Sequence, residues 1–286
     1  MSWTGFDATD REANRRLREL AEEAARAGGA VAQARFRTIS GVRLKADRSE
    51  VSAADEAAQA AIIRHLRAAR PADAIIAEEA LDGGDEATAD QPPPPPANDV
   101  LCWVIDPIDG TRNYVRGMPV YASVVAAMHG GLPRVGAIYV PQRDAMYSAS
   151  ETEGLFVNGR PWDPAGELAH RPDGLNPQPV VAIPSSAHGV SATLAQEWLE
   201  RFVCRNLGTV AMHLALVATG GLDAMLADNP RLWDIAAGSL MVMKAGGSIT
   251  SLTGAPMFPL DVSTYAGEEL PTVASLGEAH ERFLTA

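Results

Sequence analysis

Cysteine is nearly absent. The chain of 286 residues holds two, Cys102 and Cys204, and neither sits in a CxxC spacing. That is too few for a disulfide framework and too isolated for a cysteine zinc site, so both read as small buried hydrophobes. Positive charge is scarce too: 24 Lys and Arg face 36 Asp and Glu, a formal net charge of −12. Such a surface repels nucleic-acid phosphates and anionic lipid, which argues against both as partners. Long apolar runs are missing as well. The uncharged, largely apolar stretch Asn206 to Leu222 carries three glycines and falls short of a membrane span of ~20 residues. The start MSWTGFDATDREANRR places charges where a signal peptide needs an apolar segment, so the expected location is cytoplasmic. What is abundant is apolar side chain, 47% of the total, enough for a substantial core and incompatible with a disordered chain or a stapled mini-protein.

The apolar positions Leu17, Leu20, Ala24, Val31 and Ala34 recur at helical spacing, predicting an amphipathic helix over 7–36 that Gly28-Gly29 would interrupt. A second helix is expected over 53–69, with Ser52 as N-cap and Asp55 and Glu56 in the first turn. Short apolar runs at 74–77 and 101–105 have the length of buried strands, and carboxylates follow each at once. Between them, 81–99 is acidic and then proline-rich, which predicts a loop or flap over the site. Runs at 123–128, 135–140, 145–149 and 155–157, with Gly130-Gly131 and Asn158-Gly159 as turns, predict an antiparallel meander. After a Pro- and Gly-rich connection at 163–179, strands are expected at 180–183, 223–226 and 248–251, and helices at 193–202, 209–219 and 233–244. Met225, Met241 and Met243 fall at core positions. The whole reads as a layered α/β sandwich with its site between an N-terminal and a C-terminal half.

The most informative stretch is Trp103-Val-Ile-Asp106-Pro-Ile-Asp109-Gly110-Thr111. A buried strand delivers two carboxylates around a rigid proline, and the Ile108 carbonyl can join them as a third hard oxygen, a set that selects magnesium or manganese over zinc. Amides of Gly110 and Thr111 at the start of a following helix would favour a phosphate oxygen. Read in isolation, Asp-Pro and Asp-Gly make turns, Glu78-Glu79 is a solvated turn and Asp234 caps a helix. Two carboxylates 4 Å apart repel by ~4 kcal/mol at an effective dielectric near 20, so several converging require a counter-charge. No histidine stands in an HxH or HExxH spacing. His213 reads as a packed or capped histidine, and Ser185-Ser186 as a turn, since no GxSxG elbow surrounds it.

Taken together, Glu78-Glu79, Trp103 to Tyr114, Gly208-Thr209, Leu216 to Gly221 and Trp233-Asp234-Ile-Ala-Ala-Gly238 leading to Gly246-Gly247 resemble the inositol monophosphatase family along nearly the whole chain. The resemblance implies an αβαβα sandwich of the inositol monophosphatase/fructose bisphosphatase type, with halves 1–162 and 163–286 forming one compact unit. It implies hydrolysis of a small phosphate monoester with two or three Mg²⁺, Mn²⁺ as substitute and Li⁺ as inhibitor. Metal ligands are then Glu78, Asp106, the Ile108 carbonyl, Asp109 and Asp234; Glu79 and Lys45 support them. Glu78, Thr111 and Asp55 carry catalysis, the last two by orienting the attacking water; Gly110, Thr111, Gly208, Thr209, Val210 and Asp234 line the substrate. A homodimer is implied too. Ala227 stands where the animal enzymes carry a glutamate that contacts inositol, and Val210 is bulkier than the usual alanine, which weakens inositol phosphate as substrate. The run Asp109 to Gly117 resembles histidinol-phosphate phosphatases, the alternative within the class. Arg116 there can meet an acidic substrate or partner, and Arg112 and Arg116 otherwise read as solvated charges. Asn113, where bisphosphate-cleaving relatives carry glutamate, argues against sugar or nucleotide bisphosphates. Two other classes remain: a catalytically silent metal- and phosphate-binding module, and a paired-carboxylate glycosidase whose activity survives chelation.

Overall fold

A computed structural model describes residues 10–38, 43–44, 50–51, 53–81, 96–167, 178–277 and 280–284. The chain begins α1 (Arg11–Arg35), β1 (Arg43–Leu44), β2 (Glu50–Val51), α2 (Ala53–Ala69), β3 (Ala74–Ala77), α3 (Glu78–Leu81), β4 (Cys102–Asp109) and α4 (Thr111–Val115). The meander follows as β5 (Ala122–His129), β6 (Leu132–Val140), β7 (Ala145–Ser150), β8 (Gly154–Val157) and β9 (Arg160–Pro161). Then come α5 (Pro164–Glu167), β10 (Val180–Ala182), α6 (Gly189–Arg201), β11 (Val203–Arg205), α7 (Val210–Ala218), β12 (Ala224–Ala227), α8 (Leu232–Lys244), β13 (Ser248–Ser251) and β14 (Thr272–Ser275).

Helix α1 starts where the Asp10 side chain accepts the backbone N–H groups of Glu12 and Ala13, and it runs unbroken through Gly28-Gly29. The expected interruption is absent for a steric reason. A Cβ at Gly28 would lie 2.6 Å from Ile62, and one at Gly29 would lie 2.5 Å from Tyr139. These glycines let α1 approach α2 and the sheet, and the packing gained offsets a helical cost of about 1 kcal/mol each.

Seven strands form one sheet in the order β3-β4-β5-β6-β7-β8-β9, and five form a second in the order β11-β10-β12-β14-β13. In the first sheet only β3 and β4 are parallel; in the second, β10 is parallel to both β11 and β12. Helices α1 and α2 cover one face of the first sheet, α7 and α8 fill the space between the sheets, and α6 covers the outer face of the second. The layers are therefore αβαβα, as the motifs implied. Strand alternation explains the two cores around β4: Trp103 and Ile105 join the cluster under α1 and α2, while Cys102 and Val104 join the cluster around α7 and α8. Two burial expectations fail, because Cys204 is only half-buried on the edge strand β11 and Met243 lies exposed on α8.

Candidate active site

Close packing of small residues brings the acidic groups together. Helix α8 sits against β6 at Gly136, where a Cβ would lie 2.7 Å from the Ala237 Cα, and α7 meets it at Gly238, where a Cβ would lie 2.4 Å from the Leu214 Cβ. This seats the first turn of α8, with Asp234, over the end of β4. Strand β4 changes register against β5 between Asp106 and Asp109, and Gly110 follows at φ 94°, turning the chain into α4.

Asp106, Asp109 and Asp234 offer carboxylate oxygens that lie within 4.8 Å of one another. Each carboxylate is also held from the protein side. One oxygen of Asp106 accepts the Ile108 N–H at 3.0 Å. The two oxygens of Asp109 accept the N–H groups of Val210 at 3.2 Å and Ala211 at 2.9 Å, so a strand-end carboxylate caps α7 from across the molecule. Asp234 accepts the Arg231 N–H, so it caps α8 as well as joining the cluster.

Burial, then the charges of Glu78, Asp109 and Asp234, push the Asp106 carboxyl well above the usual range. Burial raises Asp109 to about 6 against the lowering by its hydrogen bonds, and burial followed by the Asp109 charge raises Asp234 to about 8. Three carboxylates, Asp106 and Asp109 buried and Asp234 half-buried, without thiolate or imidazole among them, fit a magnesium-like cation that would restore their ionised forms.

Glu78 stands outside the tight trio, at the first position of α3 directly after β3, where it lines the cavity and raises the acids of the trio electrostatically. Glu79 is buried behind it, its N–H donating to Gln59 Oε1 at 3.1 Å. The Thr111 hydroxyl lies 3.2 Å from Asp55 Oδ1 and 3.0 Å from the Ile108 carbonyl oxygen, and Asp55 is fully buried. The cavity, about 270 Å³, is also lined by Gly110, Gly208, Thr209 and Val210. Lys45, Ser52 and residues 82–95 of the expected flap lie outside the described residues.

Asn113 and His213 hold the 207–210 turn in place. Asn113 Nδ2 donates to the carbonyls of Val120 at 2.8 Å and Leu207 at 2.7 Å; the Leu207 N–H donates to His213 Nε2 at 2.9 Å. Burial lowers His213 to about 4, so it is a neutral packed acceptor, as its apolar helix suggested. Asp228 pairs with His188 at 2.8 Å on the cavity wall. Ser185, Ser186, Asn206 and Arg112 line the cavity too, beyond the turn and solvated-charge readings of their sequence context. Their common signal is topological. Residues 184–186, 206–210 and 228–230 follow the carboxyl ends of the parallel strands β10, β11 and β12, as Glu78 and Asp109 do for β3 and β4.

The layered fold and the oxygen-only cluster where β4 meets α8 define the class, an α/β protein with an acidic site that could hold a divalent cation. The chain belongs to the inositol monophosphatase family, which it matches over residues 13–286. It is similar to the Nus factor SuhB of Salmonella typhimurium, 31% identical over 92% of this chain and 95% of that one. It is also similar to inositol monophosphatase 1 of Bos taurus, 28% identical over 72% of each chain. Among solved structures, an inositol monophosphatase of Thermotoga maritima superposes with a TM-score of 0.75 at 25% identity, covering 94% of this chain and 95% of that one. Family membership supports metal-dependent phosphatase activity.

Proposed function

We propose that the protein hydrolyses a small phosphate monoester in a magnesium-dependent, inositol monophosphatase-like reaction. The observation that carries the reading is one cavity lined by Glu78, Asp109, Asp234 and Thr111, with Asp106 clustered against two of these acids and the Thr111 hydroxyl paired with the buried Asp55. Glu78, Asp106, the Ile108 carbonyl, Asp109 and Asp234 would hold two or three Mg²⁺, or Mn²⁺ in their place, with Li⁺ inhibiting. When bound, such ions offset the site's negative charge, bind phosphoryl oxygens and lower the pKa of water.

The chain's own groups supply orientation. The single Thr111 proton points to Asp55 or to the Ile108 carbonyl, which leaves a hydroxyl lone pair facing the cavity. That lone pair accepts a hydrogen bond from the attacking water and aims its oxygen at phosphorus, while Asp55 receives the proton through Thr111. The ester P–O bond breaks and the leaving alkoxide takes a proton from solvent. Gly110 and the Gly208–Val210 turn confine the substrate, Glu79 backs Glu78, and Lys45 takes the supporting role that the family resemblance implies. The halves 1–162 and 163–286 act as one unit, since Asp109 of the first caps α7 of the second.

Inositol 1-phosphate, histidinol phosphate and p-nitrophenyl phosphate assayed with Mg²⁺ and with EDTA test this. Turnover in Mg²⁺ alone is expected; turnover that survives EDTA overturns the reading. Similarity to proteins named Nus factor SuhB over 92% of the chain favours a second reading, a Nus-factor role without turnover. Mg²⁺ binding with no hydrolysis of any ester would select it. A homodimer is part of the proposal, and a monomer mass by light scattering at micromolar concentration removes it.

A further inference from the structure

We propose that Arg37, Arg112 and Arg116 form an anion subsite at the rim of the reaction cavity, selecting phosphate monoesters that carry a second oxyanion at the far end of the leaving group. The inference rests on the phosphatase reading and names its substrate class. Arg112, in the first turn of α4, lines the cavity itself. Arg116, one turn on from Arg112, caps the other end of α4 and, with Arg37, Val115 and Gly117, lines a second groove. Thr111 and Arg116 are five helical steps apart, about 7.5 Å along the axis, the reach of an extended four-carbon ester.

The charge at this rim is opposite to that of the chain as a whole. Acidic groups outnumber basic ones by 36 to 24, and several arginines pair with one. Arg15, Arg16, Arg18, Arg26, Arg70 and Arg134 all do. Among the described residues, no carboxylate forms an ion pair with Arg37, Arg112 or Arg116, although the net charge makes such partners plentiful.

The backbone that presents these groups is rigid. Tyr114 of α4 donates its hydroxyl to the Ala32 carbonyl at 2.7 Å and packs with Phe36 and Tyr121 at ring distances of 5.5 and 4.9 Å. Arg37 follows with a left-handed φ of 64°, a region that the short polar side chains of Asp144 and Asn158 tolerate better. Its Nη2 and Nε donate to the Gly117 carbonyl at 3.1 and 3.4 Å, which aligns the guanidinium along the groove and leaves Nη1 for a ligand. Guanidinium forks match carboxylate and phosphate geometry, and a preorganised fork loses little entropy on binding.

The test is a matched ester series, butane-1,4-diol monophosphate beside its analogues with a carboxylate or a second phosphate at the far end. The readout is the ratio of kcat/KM between each anionic ester and the hydroxyl ester, for the wild type, Arg116→Gln and Arg37→Gln/Arg116→Gln, at low and high salt. Arg116 offers the cleaner single variant, since its guanidinium makes no hydrogen bond among the described residues. Expected is a wild-type ratio of about tenfold at low salt, carried by KM, falling toward one in the double variant and in high salt. The two anionic arms tell a carboxylate substrate from a bisphosphate. A ratio near one in the wild type, or an unchanged ratio in the double variant, overturns the subsite alone. Absence of turnover for all three esters overturns the phosphatase reading and the subsite with it.

Discussion

Asp234 shows how one side chain serves two purposes. Its Oδ2 accepts the Arg231 N–H as a helix cap, while its charge is destabilised among Asp106, Asp109 and Glu78. An Asn can keep the cap and drop the charge. Because burial raises Asp109 to about 6 and Asp234 to about 8 from an ordinary 3.8, the metal-free fold holds protons that the unfolded chain releases. Stability from these groups is complete below about pH 4 and is lost as pH rises through 6 and then 8. Urea midpoints against pH in EDTA should therefore fall toward pH 9 in the wild type and fall less steeply in Asp234→Asn, which keeps the raised Asp106 and Asp109 but lacks the third carboxyl. The variant should also lose about 100-fold or more in turnover with Mg²⁺. Near-normal turnover would reduce Asp234 to a cap. His213 has the opposite sign. Burial lowers it from 6.5 to about 4, so its contribution is complete above pH 6.5 and disappears as pH falls through 4. In His213→Gln, which keeps an acceptor for the Leu207 N–H, this acid-side loss should be missing from the variant's stability curve and so appear in the difference between wild type and variant between pH 6.5 and 4. An unchanged acid limb would show that His213 does not titrate with unfolding.

At the scale of elements, the helix start at Asp10, the strand runs and the glycine turns of the meander follow from local preference and alternation. Strands β11 and β14 escape that logic. Each is three or four residues long, and their pairing partners β10, β12 and β13 lie far off in sequence. The contact between α7 and α8 is the element-level feature that most directly places the site. Gly238→Ala should gain up to about 1 kcal/mol of helix propensity but lose about 1–3 kcal/mol to the clash at Leu214, whose Cβ is too near the backbone to swing away. Net destabilisation by denaturant, together with weaker Mg²⁺ binding by calorimetry, is the expected pair of results. A more stable variant would mean that α8 is free to shift without cost.

Over the whole molecule, the candidate metal site bridges the first sheet through Asp106 and Asp109 and the inter-sheet layer through Asp234. Cation binding should therefore stabilise the fold globally. At Mg²⁺ of 100 times its dissociation constant the gain is about 2.7 kcal/mol, and at about 2–4 °C per kcal/mol for a chain of this size Tm should rise by about 5–10 °C over EDTA. Scanning calorimetry checks this. A Tm indifferent to Mg²⁺ would leave the buried acids without their counter-charge. No described helix is long and apolar enough to cross a membrane, in keeping with the lack of long apolar runs.

The sequence by itself singled out the residues proposed to carry the chemistry. Glu78, Asp106, Asp109, Thr111 and Asp234 stand in local contexts, strand end, proline, glycine turn and helix start, that work over a few residues and so are visible in order. It also determined the layered α/β class, because hydrophobic periodicity is local. Only the tertiary structure decided how those residues are held. Asp109 reaches the amides of Val210 and Ala211, Asn113 reaches Leu207, and Ser185, Asn206 and Asp228 share one wall. Those contacts join segments that no short-range pattern couples. They exist because three parallel strands of one sheet and two of the other end at the same crevice, where backbone amides left free at helix starts can meet buried carboxylates.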